Sequence, residues 1–375
     1  MGVPFGSCNF EKYSSIKEQF VNNTLLVGLE PNSNMNELNA LLQCLSHIEP
    51  LVNYIKYTFK KRIHYGGNKE KFLIFTFADL INKLWPNNLI RSNDKEANTY
   101  KGIEKSNNFL KMIYKIKPQY DINREYLINF ILLRLNRELN QLDKNNYNKK
   151  LNIKSTEESG FHEYYQNNKD ENRSIISKLF FGIYNKISKC NNCGNQSYKY
   201  ESYIYGLYSL SQVYKYKLLT IQNGANVLYM NKPYNISQIT IYDCLYFDQQ
   251  MKYNQEICKK CGVETPCIFQ NIIYNPPEIL TFIFNKADII NNIFFVISDK
   301  INIKDFIANK EDKIYELIGI IIYFHPNSYT AYCQNPIDKQ WYHYQDTNVY
   351  KMNNFQEITI NNYIPYILFY QKSKK

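Results

Sequence analysis

Two cysteine pairs constrain this chain more than any other feature. In "KCNNCGNQS" and "ICKKCGVET", Cys190 and Cys193 are matched by Cys258 and Cys261, and a glycine follows each pair. A gap of two residues lets both thiolates of one turn point at a single ion, and glycine relieves the tight backbone beneath it. Two such knuckles predict a tetrahedral structural Zn2+ site with four thiolate ligands. That site has no open coordination position, so its metal would hold structure together and take no part in catalysis. Because 64 residues separate the pairs (258 − 193 − 1), the knuckles are expected at the ends of separate hairpins. The alternative is four unrelated buried thiols. Cys8, Cys44, Cys244, Cys267 and Cys333 are read as small buried hydrophobes.

Ahead of the first pair the apolar spacing is helical. Leu38, Leu41, Leu42 and Leu45 predict a helix over 37–47, N-capped by the Asn-rich run before it and ending before Pro50. Further helices are predicted in "EKFLIFTFADLINKLW" (70–85) and in "REYLINFILLRLNRELNQL" (124–142), where Leu127, Phe130, Ile131 and Leu135 share a face. Residues 143–175 are polar without sustained periodicity, and read as an exposed insertion whose removal would spare the core. From 178 onward the pattern turns to short β-branched and aromatic runs such as "EILTFIFN", "YELIGIIIYF" and "YIPYILFYQ". Helices followed by antiparallel strands predict an α+β architecture.

Composition excludes several classes. A chain of 375 residues with 44% hydrophobic content, including 35 Tyr and 22 Phe, is too rich in core-forming side chains to be disordered. The net charge of +11 comes from Lys and Arg scattered among acids, so nucleic acid is not an expected direct partner. No apolar stretch approaches about 20 residues, so no membrane span is expected. The start, "MGVPFGS", has neither a basic nor an apolar leader region, and Gly6 breaks the myristoylation pattern. A cytoplasmic or nuclear chain is expected, in which cysteines serve as thiols or metal ligands.

The stretch "GLEPNSNMNELNALLQCL" (28–45) resembles the first signature of the ubiquitin-specific proteases (peptidase C19), at Gly28, Leu29, Asn34, Asn39, Leu42, Gln43 and Leu45. Further boxes follow in the same order. Glu125, Tyr126 and Leu127 resemble the family's E-F-L helix, and "LFFGIYNKISKCNNCGNQS" its entry to the zinc fingers. "NPPEILTFIFNK" resembles a palm strand, with Lys286 where the family has Arg-Phe. "YELIGIIIYFHPNSYTAY" and "WYHYQDTNV" resemble the closing boxes. The resemblance implies a papain-like ubiquitin-specific protease fold. After a lead-in at 1–24 it would comprise a helical thumb (25–177, with the insertion), β-rich zinc fingers (178–275) and an antiparallel β palm (276–375). Its implied partner is ubiquitin or a ubiquitin-like protein.

The family's Cys-His-Asp/Asn triad does not carry over. The nucleophile position falls on Asn36, the general base on Ala331, and the residue that orients the base on Gln345. An amide and a methyl group supply neither thiolate nor proton acceptor, and Asn36 is read as an N-cap residue instead. The neighbouring Asn34, at the oxyanion position, and Asp346 are retained. Cys44 lies roughly 12 Å along the first helix, at about 1.5 Å per residue, and is read as core. His325 stands on an expected turn, while His47, His64, His162 and His343 are read as surface or structural histidines. Tyr323 and Tyr329 are expected to narrow the channel for a Gly-Gly tail.

A catalytically degenerate member acting as a protein-binding scaffold is the reading these substitutions imply. One alternative is a divergent cysteine deubiquitinase that hydrolyses ubiquitin isopeptide bonds through an off-register Cys/His pair. Another is assembly of a ribonucleoprotein, since "LLVGLEPNSNMNELNALLQCLSHIEPLVNYI" is similar to the inactive family member of the spliceosomal tri-snRNP.

Overall fold

The computed structural model of the chain describes residues 24–31, 35–60, 69–86, 99–117, 126–142, 156–168, 173–222, 238–285, 294–324, 328–352, 358 and 365–374. Apart from Thr24 the expected lead-in lies outside them, as do Asn34, His64 and His325.

Strand β1 (Thr24–Leu29) leads into helix α1 (Asn36–Ser46). Leu38, Leu41, Leu42 and Leu45 are fully buried along one face of this helix, as their spacing predicts. The N-cap expectation is corrected. Met35 precedes the helix without a side-chain cap bond, and Asn36 is its first residue, exposed to solvent. Burial of Met35 in the core fixes the entry instead, and the first-turn carboxylate of Glu37 complements the helix dipole. Pro50 sits in the first turn of the next helix, α2 (Glu49–Asn53), where it has no amide bond to lose.

The expected long helices appear as α3 (Leu73–Leu84) and, after strand β2 (Thr99–Glu104) and α4 (Asn107–Ile116), as α5 (Leu127–Leu142). β1 and β2 pair in parallel. The expectation for 143–175 is corrected as well. It contains α6 (Thr156–Asn168), and α7 (Ile175–Phe180) begins at its end. The α6 side chains Phe161 and Tyr164 form a satellite cluster with Ile183, Tyr200 and Tyr274, so removing the segment would strip apolar cover. Two aromatics three residues apart make a stripe too narrow for a periodicity reading to register.

The rest of the chain runs β3 (Gly182–Cys190), β4 (Gln196–Tyr203), β5 (Gly206–Tyr208), α8 (Leu210–Gln222), β6 (Gln238–Thr240) and α9 (Ile241–Asp248). It continues through β7 (Lys252–Ile257), β8 (Glu264–Asn275), β9 (Ile279–Phe284), β10 (Phe294–Val296) and β11 (Lys300–Asn302). Strands β12 (Ile314–Phe324), β13 (Ser328–Gln334), β14 (Trp341–Gln345), β15 (Asn348–Lys351) and β16 (Pro365–Lys372) follow. Helices α8 and α9 interrupt the half read as β-rich. The signal for α9 is a capping box, in which Thr240 Oγ1 accepts the Asp243 amide at 3.4 Å and Asp243 Oδ2 accepts the Thr240 amide at 2.7 Å.

One sheet of eight strands orders β15-β14-β13-β12-β16-β9-β5, with β11 also paired to β12. Its central strands are buried on both sides. Ile279, Ile283, Ile367 and Phe369 face the thumb helices, whereas Leu280, Phe282, Leu368 and Tyr370 face the core under α8 and α9. Two covered faces explain why β9 and β16 read as unbroken apolar runs. A second sheet, ordered β4-β3-β8-β7, projects the cysteine knuckles. The fold is α+β, with the helices concentrated in the first half.

Candidate functional site

The cysteine pairs meet as predicted. Cys190 ends β3 and Cys193 lies in the turn to β4, while Cys258 and Cys261 occupy the turn from β7 to β8. The four sulfurs lie within 4.8 Å of one another, with Cys190 to Cys261 at 3.9 Å and Cys193 to Cys258 at 3.6 Å. Four sulfurs at about 2.3 Å from one tetrahedral centre stand about 3.8 Å apart, so the cluster has the dimensions of a metal site. The two turns repeat one geometry. The Gly194 amide donates to the Cys190 carbonyl at 2.9 Å and the Gly262 amide to the Cys258 carbonyl at 2.8 Å. Both glycines hold positive φ, +69° and +72°, a region that side chains disfavour. The Thr265 hydroxyl and nearby backbone amides pull the Cys190 thiol down to about 6, whereas the neighbouring sulfurs push Cys261 up to about 12. The thiolate is the form that ligates a metal, so a cation bound here would draw off the remaining thiol protons.

Away from the fingers sheet, α1 packs against β12 and β13 beside the β14–β15 turn. Here the structure explains the residues that match the signature. A Cβ on Gly28 would fall 2.4 Å from the Thr347 carbonyl oxygen, so only glycine lets β1 approach that turn. The Leu29 amide donates to the Asp346 carbonyl at 2.8 Å. Asn39 Nδ2 donates to Asp346 Oδ1 and to the Glu30 carbonyl, both at 2.8 Å, while its Oδ1 accepts from Ser106 at 2.9 Å. Gln43 Nε2 donates to the Val27 carbonyl at 2.8 Å. Asp346 itself holds φ +48°, in the two-residue turn of a hairpin where Asp is tolerated. These side chains lock strand, helix and turn together.

The three triad-equivalent positions do other things. Asn36 is exposed on the first turn of α1, Gln345 is exposed at the end of β14, and Ala331 is fully buried on the face of β13 that meets α1. Tyr329, two residues before Ala331 on that face, has its ring 5.2 Å from Tyr323 and 5.7 Å from Tyr366. The Tyr366 hydroxyl donates to the buried carboxylate of Glu37 at 3.0 Å. Burial and Glu37 push the Tyr329 and Tyr366 phenols up. The Glu37–Tyr366 contact escaped sequence reasoning, because a Glu in a first helical turn reads as a solvated dipole partner.

Cys44, Cys333 and His47 are held in the core by contacts of their own. Cys44 faces Cys333 across 3.7 Å, and burial together with Cys44 pushes the Cys333 thiol up, opposite to what a nucleophile needs. His47 Nδ1–H donates to the Gln43 carbonyl at 2.7 Å, and Nε2 accepts the Tyr344 hydroxyl at 2.9 Å. These contacts place no thiol on an imidazole among the described residues. Burial lowers His47 to about 4, against the Gln43 bond and Asp338, which raise it. Because the folded value lies below the unfolded one, His47 supports stability above about pH 6.5 and loses that support as pH falls toward 4. Urea unfolding at pH 7 and pH 4 should therefore differ by about 3 kcal/mol more than in His47→Gln. Equal pH dependence in both proteins would contradict this assignment.

Thumb-like helices on an antiparallel sheet, a β arm tipped with cysteine knuckles and the signature strand–helix at a hairpin turn define a papain-like ubiquitin-specific protease domain. The family described as "Ubiquitin carboxyl-terminal hydrolase" matches residues 27–370, and the chain belongs to it. Among relatives, ubiquitin carboxyl-terminal hydrolase 2 of Homo sapiens is 22% identical over 92% of this chain and 55% of its own length. Ubiquitin carboxyl-terminal hydrolase Usp2 of Drosophila melanogaster is 23% identical over 93% and 35% respectively. The chain thus spans about half the length, or less, of these curated relatives. A chain of the yeast SAGA deubiquitinating module superposes with a TM-score of 0.65 at 15% identity, covering 98% of this chain and 76% of that one. The SAGA Ubp8/Sgf11/Sus1/Sgf73 DUB module bound to ubiquitin aldehyde gives a TM-score of 0.63 at 16% identity, with coverage of 98% and 77%. These likenesses bear on fold. Among the described residues, no helix is long and apolar enough to cross a membrane.

Proposed function

We propose that the chain is a ubiquitin-specific-protease domain that binds ubiquitin or a ubiquitin-like protein without cleaving it, in the cytoplasm or nucleus. The observation that carries this reading is the set of residues at the triad positions, Asn36, Ala331 and Gln345, none of which supplies a thiolate or an imidazole. The matching residues that stay, Gly28, Asn39, Gln43 and Asp346, are the ones that hold the scaffold together. In this reading the thumb spans 25–177, the fingers 178–275 and the palm 276–375. The four fingertip cysteines hold a structural Zn2+, for which their spacing and the paired glycine turns are the support.

The second reading, a divergent deubiquitinase, is favoured by membership of a hydrolase family over residues 27–370. Ubiquitin carrying an electrophilic C-terminus separates the two. A binder gives no covalent adduct, whereas labelling of any cysteine would establish the enzyme. Calorimetry with mono-ubiquitin then distinguishes a ubiquitin reader, which releases heat at about one site per chain, from a scaffold for other proteins. Silence in both experiments would favour an assembly role such as that of the tri-snRNP member, testable by affinity capture.

A further inference from the structure

Among the described residues, strand β7 is an unpaired outer edge of the fingers sheet. All six of its residues are exposed, and apolar side chains stand out along it and at its start, with Met251 62%, Tyr253 72% and Ile257 75% exposed. An exposed strand with unpaired amides is a template for another strand. Which amides point outward can be read from the ladder. Gln255 stands opposite Pro266, which has no N–H and whose carbonyl accepts instead from Asn191 at 3.0 Å, on the opposite side. The Cys258 amide donates to the Val263 carbonyl at 3.1 Å, which fixes the same alternation from the other end. Tyr253, Gln255 and Ile257 therefore present their backbone groups outward. The Gln255 amide is meanwhile capped by Asn254 Oδ1 at 2.9 Å, a bond that a new strand would replace.

We infer that β7 pairs antiparallel with β7 of a second copy of this chain, about a two-fold axis through Asn254. Only odd-numbered residues offer outward groups, so bonded pairs must join odd to odd. Centring on Asn254 meets that condition, placing Tyr253 opposite Gln255 and Met251 opposite Ile257. It also sets Lys252 opposite Glu256 on the other face, twice by symmetry. Centring on Gln255 also satisfies the backbone, yet it puts Lys252 opposite Cys258 and Asn254 opposite Glu256, with no charge matched. Charge complementarity therefore selects both the register and the partner. The Glu256 carboxylate sits within 3.5 Å of Ser188 on the same face, and this leaves it able to accept a facing ammonium.

Sedimentation of the full chain over a concentration series tests this. A monomer–dimer equilibrium is expected. Lys252→Glu or Glu256→Lys alone, which opposes like charges, should raise the dimer dissociation constant by about tenfold. The double exchange Lys252→Glu with Glu256→Lys should restore it, because the pairs re-form with their signs reversed. None of these changes touches a cysteine, so metal content serves as a check on fold. Monomers up to the solubility limit would overturn the proposal, as would single variants that dimerise normally or a double exchange as weak as the singles.

Discussion

Replacing Cys190 and Cys258 by serine is expected to release about one metal ion per chain and to unravel the fingertip while leaving the central sheet intact. The apolar content of that tip is small. Its cluster contains Cys190, Cys258, Cys267 and Phe269, with Cys193 and Cys261 at its margin, and β7 is exposed along its whole length. An isolated two-stranded hairpin of that composition is marginal in water, and beyond Cys190 the tip has only its turns to add to the sheet. Structural zinc in small domains contributes about 10 kcal/mol or more of apparent binding free energy, which is folding free energy where no other core exists. Hydrogen exchange after chelation should accelerate at β7 and the distal half of β8 and leave β12 and β16 protected. Metal analysis of the untreated protein checks the stoichiometry. A fully protected fingertip in metal-free protein would contradict the assignment.

Glu138→Ala should cost about 3–5 kcal/mol, read as a fall in urea unfolding free energy. Helix α3 begins without a capping side chain at Phe72. Glu138, from α5, performs that task across the thumb. Its Oε1 accepts the Leu73 amide at 3.0 Å, its Oε2 accepts the Ile74 amide at 2.8 Å, and Arg134 pairs with it at 2.5 Å. The carboxylate is 1% exposed, so truncation leaves the two buried amides unanswered and takes the ion-pair partner from Arg134, which keeps the Lys71 carbonyl at 3.5 Å. Glu138→Gln, which keeps one acceptor oxygen, should lose less. A loss below about 1 kcal/mol in the alanine variant would mean that water or a shift of α3 replaces the cap.

How much of this was legible beforehand depended on whether a residue's role is local. The leucine spacing of α1 and the doubled cysteine turns are local patterns, and both appear in place. Helix α6 was missed because its fixing contacts, Phe161 and Tyr164 on Tyr200 and Tyr274, join segments far apart in sequence. The same holds for Glu138, whose partners lie 64 and 65 residues away. The signature at 28–45 reads from sequence as the remnant of a reaction centre. In space, Gly28, Asn39 and Gln43 are fasteners, a role that depends on Thr347, Asp346 and Val27 being close by. Helix α9 could have been found from its Thr240–Asp243 box, but its aromatic content reads as strand.

The pairing of β3 with β8 runs in unbroken register from Tyr184 to Cys190, and its one irregularity falls between Ile183 and Tyr184. At about 3.3 Å per residue that makes a ladder about 20 Å long, with the register shift at its foot. Over that length a change of about 10° in direction at the foot would displace the sulfur-bearing end by about 3.5 Å, so the backbone geometry between Ile183 and Tyr184 sets where the knuckles stand.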